Sequence, residues 1–136
     1  MSLPVTLPVR ENLPLRQRAS ALLAVGLARL LVLLRPARQL KLLRFARRRA
    51  VPASATQALA ARRDVLAVSP RSADCPLRRS IATALLCRAR GVWPTWCTGV
   101  RTAPFAAHAW IEVDGHPVGE PHASAHYRRL QSIPPR

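Results

Sequence analysis

Cys75 stands directly before Pro76, and residues 76 to 90 carry Leu77, Ile81, Ala84, Leu85 and Ala89 at helical spacing up to Gly91, where a C-terminal cap belongs. A cysteine in that place sits at a helix N-terminus, whose dipole favours negative charge, and the thiolate is the form of sulfur that acts as a nucleophile. Proline suits the first turn because no backbone N–H is needed there, and the Cys75 N–H stays available to a developing oxyanion. Position alone carries little weight, since most cysteines at helix starts are simply small buried residues. A second group adds to it. His108 rides a strand leading into the turn Asp114-Gly115, and Glu120 lies twelve residues further on. A thiolate–imidazolium pair needs a third group of this kind to hold the ring tautomer. Asp114 is the other carboxylate open to that role, although a turn residue has structural work of its own. His122 and His126 could share a helix face, but without a CxxC pair or nearby acids they make a poor metal site, and no metal or other cofactor is expected.

The elements around these residues read as follows. Residues 1 to 14 contain Pro4, Pro8 and Pro14 among alternating Val and Leu, which predicts an extended arm. Residues 15 to 34 are apolar and helix-forming up to Pro36, yet the apolar run is shorter than a membrane span and carries Arg29. It is read as a buried or interfacial helix. Residues 38 to 49 form a helix with a broad cationic side, and residues 56 to 68 form a third helix ended by Ser69-Pro70. Two strands follow the Cys75 helix, at 92 to 101 and 107 to 113, with a third near 117 to 121.

Register bears on the third group. A tight turn centred on Asp114-Gly115 would set Val113 opposite His116 and turn Glu120 away from the face of His108. A turn one residue longer, or a bulge near His116-Pro117, pairs Trp110 with Glu120, and that longer arrangement is the expectation. Cys87 and Cys97 read as core or strand thiols. Trp93, Trp96 and Trp110 read as core anchors, although Trp110, beside His108, is with Phe105 also a candidate side chain of a substrate cleft.

A chain of 136 residues suits one compact core with an arm, and a hydrophobic content of 49% is enough to build that core from aliphatic residues. The net charge is +16 and uneven: residues 1 to 74 hold 14 Lys and Arg against 3 acids, residues 75 to 136 hold 8 against 3. Such a surface attracts an acidic partner, but charge alone does not choose between protein, nucleic acid and anionic lipid. Three cysteines without a CxxC pair suit a reducing compartment, and no signal-peptide pattern opens the sequence, so a cytoplasmic protein is expected.

The run Cys75-Pro-Leu-Arg-Arg79-Ser80-Ile-Ala, then Leu85-Leu86, Arg90-Gly91-Val92, Gly99-Val100-Arg101 and His108-Ala-Trp-Ile-Glu-Val-Asp-Gly, resembles the transglutaminase-like leader peptidases of lasso-peptide biosynthesis. The resemblance covers residues 74 to 134. It implies an α+β fold with a transglutaminase-like, papain-like cysteine peptidase core at 71 to 136, a catalytic helix followed by an antiparallel sheet. Residues 1 to 70 then form an N-terminal arm and helices. It implies Cys75 as nucleophile, His108 as base and Glu120 at the position of the orienting carboxylate. It further implies a precursor peptide with a leader, a small leader-binding recognition protein, and a cyclase acting on the product. In that setting Arg38, Lys41, Arg44, Arg47 and Arg48 are the candidate partner-docking side chains. The competing readings are a basic nucleic-acid-binding protein, which leaves Cys75 and His108 without a role, and a membrane-surface protein held by residues 19 to 49. On the peptidase reading no nucleic acid and no transmembrane span are involved.

Overall fold

The computed structural model describes residues 13–70, 75–102, 104–119 and 127–135. Helices α1 (Leu15–Leu31), α2 (Pro36–Ala46), α3 (Ala55–Val68) and α4 (Pro76–Ala89) precede most of the sheet; a short strand β1 (Val51–Pro52) lies between α2 and α3. The chain then runs through β2 (Val92–Trp93), β3 (Thr95–Thr102), β4 (Phe105–Val113), β5 (His116–Pro117) and β6 (Arg128–Ile133). The fold is α+β, as the sequence led us to expect.

The helix boundaries follow from local chemistry. Ser54 accepts from the Gln57 N–H while the Gln57 side chain accepts from the Ser54 N–H, a reciprocal cap that starts α3. Pro36 and Pro76 occupy the first positions of α2 and α4, where a missing N–H costs nothing. α4 ends at Gly91, whose φ of 85° is the left-handed turn that a side chain would resist.

β3 and β4 form the long antiparallel ladder, from Thr95↔Glu112 to Thr102↔Phe105, in a sheet ordered β5-β4-β3-β6. Pro94, which has no N–H, separates β2 from β3, and β2 turns aside to pair in parallel with β1. One sheet face packs on the helices: Trp96, Ile111, Val113 and Ile133 join Ile81, Ala84 and Leu86 of α4, Ala58 and Val65 of α3, and Ala21, Ala24, Val25 and Ala28 of α1. The tryptophans anchor this core with their polar edges satisfied. Trp93 Nε1 donates to the Ile133 carbonyl at 3.0 Å, and Trp96 Nε1 donates to Ser80 Oγ of α4 at 3.0 Å.

The third strand was expected with a loose turn before it; the turn is tight. Val113 faces His116 and Glu112 faces Pro117, so Asp114 and Gly115 are the two central residues. Both take left-handed conformations, with φ of 53° and 79°, as a two-residue turn matched to strand twist requires. The register that would have paired Trp110 with Glu120 is therefore corrected. Val118 N–H bonds the Ile111 carbonyl in the same tight register. Glu120 itself lies outside the described residues, as do His122 and His126.

Candidate active site

Cys75 is the residue immediately before α4, in an extended conformation, half-buried, with its carbonyl accepting the first helical bond from the Arg79 N–H at 3.0 Å. Its side chain makes no capping bond, so sulfur is not spent on the helix end. The N–H groups of Leu77 and Arg78 in the first turn have no intrahelical acceptor, which gives this terminus its positive character. Arg78 is half-buried there, with Nε enclosed and, among the described residues, without a hydrogen-bond partner. The other two thiols differ. Burial pushes Cys87 up to about 12, with the Arg90 charge pulling the other way. Burial also pushes Cys97 up to about 12, with Glu112 adding to it and Arg129 opposing. Neither ionises at neutral pH.

His108 sits on β4 opposite Gly99, half-buried, with its ring in a three-way cluster with two aromatics that also touch each other, their centres 6.3 Å apart. Trp110 stacks on it with ring centres 5.7 Å apart, and Tyr127 lies tilted at 5.1 Å. The Arg101 guanidinium carbon lies over the Tyr127 ring, 5.5 Å from its centre. Side chains alternate along a strand, so His108, Trp110 and Glu112 share one face. Trp110 Nε1 donates to Glu112 Oε1 at 2.8 Å, and Arg129 approaches the other carboxylate oxygen at 3.4 Å. Glu112 fixes the indole, and the indole in turn limits the imidazole. Gly99 makes this possible: a Cβ there would come within 2.8 Å of Trp110 Cη2 and 2.5 Å of the Arg128 carbonyl. Ala109, Ile111 and Val113 occupy the opposite face, and Ile111 and Val113 pack into the helical core.

Glu112 and Tyr127 were not singled out from the sequence. Glu112 has a signal in hindsight, since it continues the His108-Trp110 alternation; Tyr127 has none. Trp110 is 3% exposed, so its contacts are with His108 and Tyr127, whereas Phe105 is 74% exposed at the start of β4. Asp114 is exposed at the hairpin tip, about 20 Å along the strand from His108. Among the described residues no set of three or more His, Cys, Asp or Glu side chains gathers as metal ligands. Of the proposed docking residues, Arg38, Lys41, Arg44 and Arg48 are exposed, while Arg47 is half-buried and donates to the Pro134 carbonyl at 3.1 Å. Lys41, Arg44, Arg47 and Arg48 line a shallow concavity with Phe45.

A family model described as the transglutaminase-like superfamily matches residues 21–132. No curated protein and no solved structure matches the chain.

Proposed function

The chain belongs to the transglutaminase-like superfamily, and from that membership we propose that it is a cysteine peptidase with Cys75 as nucleophile and His108 as base. The observation that carries the proposal is the contrast among the three thiols: Cys87 and Cys97 are buried and held protonated, and Cys75 is half-buried at a helix N-terminus.

The lengths of the elements set how far along the sheet His108 lies from Cys75. From the turn at Gly91, α4 runs back about 1.5 Å per residue and β2–β3 returns beside it at about 3.3 Å per residue. The Trp96–Ser80 bond fixes their alignment. Cys75 lies five residues before Ser80, about 7.5 Å, and His108 lies three residues from Ile111, the partner of Trp96, about 10 Å in the same direction. The two residues therefore stand at nearly one level along the sheet, Cys75 on the side of the helices and the His108 ring on the other face. Among the described residues β5 pairs with Glu112 and Val113, and Val118 bonds Ile111, so that ladder stops short of His108.

In the proposed reaction the Cys75 sulfur attacks the scissile carbonyl carbon, and the imidazolium of His108 gives its proton to the departing amine. Water, losing a proton to His108, then attacks the thioester, and the acid leaves as sulfur is released. The Glu112–Trp110 contact positions the ring, and the tight Asp114-Gly115 turn removes the register on which Glu120 was the expected carboxylate partner. The substrate class we propose is the leader of a ribosomally made precursor peptide, brought by a leader-binding protein, with a lasso cyclase acting on the product.

The test is cleavage of such a precursor, followed by mass spectrometry with and without the leader-binding protein. Cys75→Ala should abolish it, His108→Ala should be nearly as damaging, and the double variant should lose no more than the first. Retained cleavage in Cys75→Ala would sink the proposal.

A further inference from the structure

Helix α1 is packed the opposite way from an ordinary amphipathic helix. Its buried side is Ala21, Ala24, Val25 and Ala28, which fit against α3 and α4, while Leu22, Leu23, Leu27 and Leu30 are 45 to 66% exposed. The outward side is open at its middle, since a Cβ placed on Gly26 would meet nothing within 4 Å. Arg18 and Arg29 fall along one edge of this leucine face at helical spacing. An exposed apolar stripe of this kind marks a binding surface.

The charge around it says what the surface binds. No Asp or Glu occurs from residue 12 to residue 63, and residues 15 to 49 alone carry 10 Lys and Arg. A protein partner is usually matched by charges of both signs and by hydrogen-bonding groups that set its register. This face offers leucines and arginines with Ala19 and Gly26 between them; the nearby Ser20 hydroxyl is already bonded to the Arg16 carbonyl. A second copy of the chain would bring like charges together. A fluid, anionic, partly apolar surface asks for no register and meets both features. Seventeen residues of helix reach about 25 Å, short of a bilayer core, and no described helix is long and apolar enough to cross a membrane. We propose that the leucine face of α1 docks this protein in the plane of an anionic lipid surface, with Arg18 and Arg29 reaching the phosphates along its edge.

The test uses the full chain in sedimentation with vesicles of phosphatidylcholine alone and of equal parts phosphatidylcholine and phosphatidylglycerol. The wild type should pellet with the anionic vesicles, remain in solution with the neutral ones, and be released by salt. Leu23→Gln with Leu27→Gln and Leu30→Gln should lower the partition constant about tenfold or more, while alkylation of Cys75 in solution stays unchanged and reports an intact fold. Leu27→Trp should shift its emission to the blue on addition of anionic vesicles, a reading independent of the triple variant. Failure of the wild type to pellet would overturn the proposal, as would equal pelleting of the leucine variant, which would mean charge adsorption alone. Vesicle binding that survives in the leucine variant, alongside loss of cleavage stimulated by a leader-binding protein, would assign the face to that protein instead.

Discussion

Three thiols of the same chemistry are separated by what surrounds them. Cys75 lies half-buried at the start of α4, while Cys87 and Cys97 are enclosed and pushed up to about 12. Iodoacetamide at neutral pH should therefore modify Cys75 in the native protein and reach the other two only after denaturation, a difference that intact-mass measurement reads directly. Modification of Cys97 at the same rate as Cys75 would contradict the packing of β3. Glu112 is 5% exposed and accepts from the Trp110 indole. Glu112→Leu leaves that indole N–H without its acceptor and should cost about 1–3 kcal/mol in urea unfolding. Glu112→Gln keeps an oxygen for the indole and should cost clearly less. Equal losses would mean that charge facing Arg129, not the hydrogen bond, is what the site needs.

At the scale of elements, the β3–β4 ladder is the part that holds His108, and its tightest point is Gly99. Gly99→Ala should displace either the Trp110 ring or the β6 backbone at Arg128, weakening unfolding stability and the near-ultraviolet dichroism of the tryptophans together; an unchanged spectrum and midpoint would refute the close approach. Much of this arrangement was legible in the sequence: Cys75-Pro76 and Gly91 bracket α4, and the alternation through Ala109, Ile111 and Val113 marks the buried side of β4. Three features were not. Glu112 reads as a solvent-facing strand residue because alternation alone assumes one wet face, yet Cys97, Trp110 and Glu112 are buried on the second face as well. β6 gives no periodic signal, since only Ile133 of its six residues is buried. In α1 the helix was expected, but not that alanines would face inward; small residues let helices approach closely, which leaves the leucines outside.

For the whole molecule, the enclosed thiols set a limit in alkali. The folded state resists ionisation at Cys87 and Cys97, whose values rise from 9.0 to about 12, and the unfolded chain does not. Their contribution is complete below pH 9 and is lost as pH climbs from 9 toward 12, about 1.4 kcal/mol per thiol by pH 10. Urea midpoints at pH 8 and pH 10 should fall accordingly, and Cys87→Ala should remove about half of the pH dependence; a flat profile in the parent protein would contradict the burial of both sulfurs. A different consequence follows from the parallel pair β1–β2. Val51 N–H bonds the Gly91 carbonyl and Ala53 N–H bonds the Trp93 carbonyl, closing a long loop that contains α3 and α4. The β3–β4 hairpin, by contrast, forms between neighbours in the chain. Closing the longer loop carries the larger entropy cost, with only two residue pairs to offset it. During synthesis Cys75 precedes the segment carrying His108 by 33 residues, so the site proposed above is complete only after the sheet has left the ribosome.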